Sequence, residues 1–171
     1  MVKQITEKRL ENITLYYLQR YESCSSKLKD VLYRRVLKAK LAGIEIPPQV
    51  DTWILNIISK MQNLGYLNDE RYIENTVRRL QNNGKSMNYI LNKLKQDGIS
   101  SDLIETFLEE NNINTVLSDL KSARKLVYKK KLGRFRDKEL QKQMYQKDLA
   151  VLARAGFSYE IAKQVLEEAE N

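Results

Sequence analysis

The apolar and polar positions of this chain repeat one pattern three times. In each copy a basic helical segment ends at a glycine followed by a large apolar residue: Gly43-Ile44, Gly98-Ile99 and Gly156-Phe157. A short polar stretch follows, and then two apolar doublets spaced to lie on one face of a helix. Glycine suits a helix C-cap because positive φ costs it no Cβ clash, and the next apolar residue can pack back on the last turn. The pattern predicts a repeated helical unit.

Periodicity and capping signals extend each copy to three helices. The doublets predict the third helix of each unit and are Trp53/Ile54 and Ile57/Ile58, Leu103/Ile104 and Phe107/Leu108, and Ile161/Ala162 and Val165/Leu166. Polar residues are expected to cap helices: Ser25 or Ser26, Ser86, Ser100 or Ser101, and Ser158. No alternating strand pattern of useful length occurs in the sequence.

The predicted fold is therefore all-α, with nine helices in three tandem three-helix repeats. We predict repeat 1 at 1–67, with an insert of about five residues near 45–49 that contains Pro47-Pro48. Repeat 2 is predicted at 68–113 and repeat 3 at 114–171. Such a tandem arrangement predicts an elongated array without the pocket of an enzyme.

Composition excludes several kinds of chemistry. The 171 residues contain no histidine and a single cysteine, Cys24. Metal sites built on His or Cys, His-dependent triads and an internal disulfide are thereby excluded. Gly84-Lys85-Ser86 resembles the end of a phosphate-binding loop, but the required first glycine is replaced by Arg79 and no strand precedes it. We therefore predict no enzyme activity and no cofactor, and interpret these three residues as a helix stop followed by a cap.

Charge is distributed unevenly along the chain. The net charge is +8, and eleven Lys/Arg between Lys121 and Lys147 face only two carboxylates. The segment from Asp102 to Asp119 holds five carboxylates and no base. Solvated helix faces would explain part of this pattern, but its unevenness favours a polyanion or a charged protein surface as partner. The start of the chain shows no export signal and no apolar run could span a membrane, so a cytoplasmic protein is expected.

Four segments together resemble the RecX family of RecA regulators. They are the first-repeat helices from Leu10 to Arg35, the junction Leu64-Gly-Tyr-Leu-Asn-Asp-Glu-Arg-Tyr72, the second-repeat segment from Gly84 to Ile99, and Leu152-Ala-Arg-Ala-Gly-Phe157 with the apolar residues that follow. The resemblance runs from about residue 10 to the end. The insert near Pro47 and the lysine-rich link from Arg124 to Arg136 depart from the family's minimal repeat.

The resemblance implies a curved array that lies in the groove of the RecA–single-stranded DNA filament. It implies a negative regulator that reduces ATP hydrolysis, strand exchange and coprotease activity, and so modulates DNA repair, homologous recombination and the SOS response. The expected partner is the RecA filament, with weak or indirect contact to single-stranded DNA, and the simplest expected state is a monomer. The alternatives are a stand-alone basic helical nucleic-acid-binding protein and a generic repeat scaffold for an acidic partner.

Candidate filament-binding residues follow from charge and expected exposure. Their shared feature is a basic side chain that is expected to be exposed. They are Arg34, Arg35, Lys38, Arg71, Arg78, Arg79, Lys85, Lys93, Arg124, Lys129, Lys130, Lys131, Arg134 and Arg136. Tyr128 and Tyr145, which lie among lysines, are added as candidate contact residues.

Overall fold

The computed structural model describes residues 4–168. Within that range the chain forms nine α-helices and one 3₁₀ turn, and no strand. The helices of the first two repeats are α1 (Glu7–Leu18), α2 (Ser25–Leu41), α3 (Val50–Asn63), α4 (Asp69–Asn82), α5 (Met87–Gln96) and α6 (Ser101–Glu110). The last repeat contains α7 (Thr115–Lys130), the 3₁₀ turn Gly133–Phe135, α8 (Lys138–Arg154) and α9 (Tyr159–Glu167). The all-α prediction with tandem three-helix repeats is confirmed.

Helix ends follow the predicted capping chemistry in most places. The three repeat glycines have φ values of +76°, +82° and +93°. The amide of Ile44 donates to the Ala39 carbonyl, and that of Phe157 to the Leu152 carbonyl. Such bonds satisfy carbonyls at the end of the helix. Ser86, Ser100 and Ser158 each accept a bond from a backbone amide in the first turn that follows.

The start of α2 differs from the prediction. Neither Ser25 nor Ser26 is its N-cap residue; Cys24 occupies that position, and its side chain makes no capping bond. Instead the Ser25 amide donates to the Asp69 carboxylate at 2.8 Å. A carboxylate at a helix N-terminus accepts a bond from an otherwise unpaired N–H and interacts favourably with the positive end of the helix dipole. Asp69, which lies 44 positions after Ser25, therefore caps α2.

The chain folds into two compact units. The first runs to Tyr72 and includes Asp97–Ile99, and the second consists of Ile73–Gln96 and the chain from Ser100 onwards. In the first unit, Leu10, Leu28, Leu32 and Ile54 are fully buried. The second unit has its own core, which α7, α8 and α9 supply. The doublets of α3 and α9 point largely into these cores, as predicted.

Two of the repeat glycines also allow a serine side chain to come close to the backbone. In the first unit, a Cβ on Gly98 would lie 2.1 Å from Ser26 Oγ, and in the second, a Cβ on Gly156 would lie 2.4 Å from Ser86 Oγ. Beside these glycines, Cys24 Sγ donates to the Asp97 carbonyl and the Ser86 amide to the Ala155 carbonyl. Within each unit, residues at the start of one second helix thus meet the residues that directly follow a later second helix.

Candidate functional site

Basic side chains of α2 lie opposite its buried stripe. Leu32, Val36 and Ala39 face the first core, whereas Arg34, Arg35 and Lys38 are exposed. Because α2 buries one stripe only, these cations remain accessible to a partner. The first three predicted contact residues therefore share a solvent-facing helix surface.

The candidates on α4, on α5 and in the turn between them divide into exposed and half-buried residues. Arg71, Arg78 and Arg79 are exposed, and Lys85 and Lys93 are half-buried. The Arg78 guanidinium donates to Asn75 Oδ1 at 2.5 Å, which orients it along the helix surface. The Lys85 ammonium lies 4.3 Å from the centroid of the Tyr89 ring. Such a cation–π contact leaves the charge in place while it fixes the lysine stem.

The end of α7 presents the densest basic cluster. Lys129, Lys130 and Lys131 are all exposed, and the Tyr128 side chain beside them is 71% exposed. The Tyr128 ring meets the Phe135 ring edge-on, with centroids 5.5 Å apart. An exposed, fixed aromatic ring among lysines can contact either a protein surface or a base.

Two predicted contact residues are engaged within the protein. The Arg136 guanidinium forms two bonds of 2.9 and 2.8 Å with the carboxylate of Asp148, a side chain that is 1% exposed. Arg124 pairs in the same forked manner with Glu168. The hydrogen bond with Asp148 raises the pKa of Arg136, and the bond from Arg124 lowers the pKa of Glu168. A partner that used these arginines would have to compete with the internal carboxylates.

Arg134 and Tyr145 are partly packed. The Arg134 guanidinium lies 5.0 Å from the Phe135 ring centroid. The Tyr145 hydroxyl donates to Glu167 Oε1 at 2.9 Å. Burial and, to a smaller extent, the hydrogen bond to Glu167 raise the pKa of Tyr145 to about 12. Tyr145 is thus held against α9, whereas Tyr128 remains available.

The sequence did not reveal a polar cluster in the first unit. The Tyr72 hydroxyl donates to Asp97 Oδ2 at 2.8 Å, and the Lys27 ammonium lies 3.1 Å from the same hydroxyl and 3.6 Å from Asp97 Oδ1. Burial opposes the charge on Lys27, but the Tyr72 bond and the Asp97 charge prevail and raise its pKa. Burial raises the pKa of the neighbouring Cys24 thiol, which disfavours the nucleophilic thiolate. This cluster fixes helix ends and shows no feature of a reactive site.

Nothing in residues 4–168 forms a group of three or more Cys, Asp or Glu side chains that could hold a metal ion. None of the helices in that range is long and apolar enough to cross a membrane. The predicted contact residues that are exposed are cations on α2, α4 and α7 or directly after α7, together with Tyr128.

The fold defines a tandem repeat of three-helix units with basic outer helix faces. A family model described as "RecX, second three-helix domain" matches residues 68–108. The chain is 34% identical over 167 residues to the regulatory protein RecX of Myxococcus xanthus, an alignment that covers 96% of this chain and 88% of that protein. It is 30% identical over 164 residues to the regulatory protein RecX of Agrobacterium fabrum, with 94% and 85% covered.

The crystal structure of RecX from Lactobacillus salivarius has a similar fold, with a TM-score of 0.60, 23% identity and 94% of each chain covered. This chain belongs to the RecX family of regulatory proteins. The resemblance that four sequence segments indicated is confirmed. Both relatives bear the name of a regulatory protein and not of an enzyme.

Proposed function

We propose that this protein is a negative regulator of the RecA recombinase. It binds in the groove of the RecA–single-stranded DNA filament and inhibits ATP hydrolysis, strand exchange and coprotease activity. Membership of the RecX family is the observation that carries the proposal. Through these activities the protein would modulate DNA repair and the SOS response.

The exposed cations support the binding step of this proposal. Basic side chains project from α2, α4 and the end of α7, and a filament that contains DNA carries phosphate charge along its length. Cations would speed the encounter and make binding depend on salt. Arg34, Arg78 and Lys129 represent the three clusters, and their contact role stays a prediction.

The first test is the single-stranded-DNA-dependent ATPase of RecA, titrated with this protein at moderate salt. Inhibition at well below one protein per RecA, without comparable capture of free DNA, is the expected result. Tight, salt-sensitive binding to DNA alone, with no effect on RecA, would refute the proposal and favour a stand-alone nucleic-acid-binding protein.

A charge-reversal pair tests the α4 surface. Arg78→Glu with Arg79→Glu is expected to weaken inhibition while the helical circular dichroism remains unchanged. The matched control is Lys147→Glu with Lys163→Glu, which reverses two exposed lysines of the same unit outside the predicted set. Equal inhibition by both double variants and the wild type would reject the α4 assignment.

A further inference from the structure

Two asparagine-containing turns border one groove in the second unit. Asn82 ends α4, and Asn111 and Asn114 flank the turn between α6 and α7. The groove between them has a volume of about 590 Å³ and continues along α7 past Lys121 and Lys125. Neither lysine belongs to the predicted filament-binding set. We call this cleft the asparagine groove.

The amides of the groove are held by internal bonds that use only part of each group. Asn82 Oδ1 accepts from the Lys125 ammonium at 3.0 Å, and Asn114 Oδ1 accepts from the Leu117 amide at 3.0 Å. Asn111 instead donates its Nδ2 to the Phe107 carbonyl at 2.8 Å. These bonds orient the amides and leave the Nδ2 donors of two of them, and the Oδ1 acceptor of the third, for a ligand. A peptide backbone carries one donor and one acceptor per residue and matches such a set.

Among the described residues, the charged side chains that line the groove are two cations, Lys121 and Lys125, and both are exposed. The nearby carboxylate of Asp119 is turned to the other side of α7, where it accepts a bond of 2.6 Å from the Met87 amide. The ligand should therefore carry carboxylates or phosphates.

The remaining wall distinguishes these two possibilities. Val77, Ile113 and Leu117 supply an apolar surface, and the Leu117 side chain is 64% exposed. No aromatic residue in the described part of the chain lines the groove, whereas single-stranded nucleic acid is commonly bound by stacking its bases on aromatic rings. An apolar wall beside oriented amides and two ammonium groups fits a peptide of mixed acidic and apolar residues better than a base.

We propose that the asparagine groove binds an extended acidic peptide segment of a partner protein. The amides pair with the peptide backbone, the two lysines with its carboxylates, and the apolar wall with a side chain between them. This inference goes beyond the proposed function, because the groove is defined without reference to RecA.

The test uses the full chain and a fluorescein-labelled eight-residue peptide of aspartate and glutamate around a central leucine pair. Fluorescence anisotropy compares it with the same peptide in Asn/Gln form and with an oligothymidylate of equal charge. Saturable binding of the acidic peptide, stronger than that of either comparison ligand, is expected. Tighter binding of the oligothymidylate would overturn the proposal in favour of nucleic acid, and absence of peptide binding would overturn it outright.

Variants locate the site. Lys121→Gln with Lys125→Gln should weaken peptide binding by about two- to thirtyfold, the effect of losing two solvent-exposed ion pairs. Lys147→Gln with Lys163→Gln removes the same charge outside the groove and should change it by less than about twofold. Equal losses from the two pairs would mean unspecific attraction and overturn the proposal.

Amide variants separate recognition from charge. Asn82→Ala with Asn111→Ala keeps the net charge and should still weaken binding. In the wild type, the side-chain NH₂ resonances of these two residues should shift on peptide addition; unshifted resonances would overturn the assignment even if a variant failed to fold. Because these measurements contain no RecA, their failure is distinguishable from failure of the ATPase test.

Discussion

Substitution of Gly98 by alanine tests how closely the repeats pack. Two effects add at this position. A left-handed conformation at φ +82° costs a residue with a Cβ about 1–2 kcal/mol. The new Cβ would also lie 2.1 Å from Ser26 Oγ and 2.6 Å from Ser26 Cβ, and overpacking of this kind costs about 1–3 kcal/mol. The free energy of unfolding of Gly98→Ala should fall by about 2–5 kcal/mol.

Gly43→Ala is the matched control within the same unit. Its φ is +76°, but nothing lies within 4 Å of the position that its Cβ would take. It should therefore lose only the backbone term of about 1–2 kcal/mol. Both variants share the gain from a less flexible unfolded chain, so that effect cancels in the comparison.

Urea unfolding followed by far-ultraviolet circular dichroism gives the two free energies. Addition of Ser26→Ala to Gly98→Ala should recover part of the loss, because it removes the nearer of the two clashing atoms. Equal losses in Gly43→Ala and Gly98→Ala would refute the packing argument. Losses below about 0.5 kcal/mol in both would refute the backbone argument as well.

Three further predictions concern the last repeat. Asp148→Ala should lower the free energy of unfolding by about 1–3 kcal/mol, because it leaves the buried Gly133 amide without its acceptor and the partly exposed Arg136 guanidinium without its partner. A loss below about 0.5 kcal/mol in urea unfolding would contradict this. Lys131→Gly should raise the free energy of unfolding by up to about 1 kcal/mol, because Lys131 ends α7 at φ +51°, a conformation that glycine adopts without a Cβ clash. A lower melting temperature of the variant would contradict this. Glu168→Gln should cost under about 1 kcal/mol at neutral pH. Arg124 lowers the pKa of Glu168 below its ordinary 4.5. The stabilisation by this ion pair is therefore present above pH 4.5 and is lost as the pH falls through the lowered pKa. A difference in the free energy of unfolding between Glu168→Gln and wild type that persists unchanged in acid would contradict the argument.

Local signals predicted the helices because their causes are local. Glycine at positive φ and serine at a helix start act within a few residues, and apolar spacing fixes which face is buried. The first helix shows where this reasoning stops. Leu10, Tyr17 and Tyr21 have the spacing of one helix stripe, but α1 ends at Leu18, and the Tyr21 side chain is 58% exposed. Thr14 is buried on this helix instead, and its hydroxyl donates a hydrogen bond to the Leu10 carbonyl.

Long-range polar partners could not be predicted, because a single sequence gives faces and not neighbours. Exposure was predicted for Arg34 and Arg78 and is observed, but nothing in the basic link distinguished Arg136 from its neighbours. The available signal was Asp148 itself. It lies one residue before Leu149 and four before Leu152, on the stripe that α8 buries. A carboxylate on an apolar stripe requires a cation or donors, and this requirement points to an internal partner.

The repeat glycines combine a local cause with a long-range one. Periodicity identified them as helix ends, which explains their positive φ but not why two of them face a serine of the preceding repeat. At Gly98 and Gly156 the absent side chain is space that Ser26 and Ser86 occupy, whereas Gly43 faces no such neighbour. Because nothing lies within 4 Å of the position that a Cβ on Gly43 would take, this glycine is required by backbone conformation alone. Three residues with the same sequence pattern are thus under two different physical constraints, and the presence of a facing serine decides which one applies.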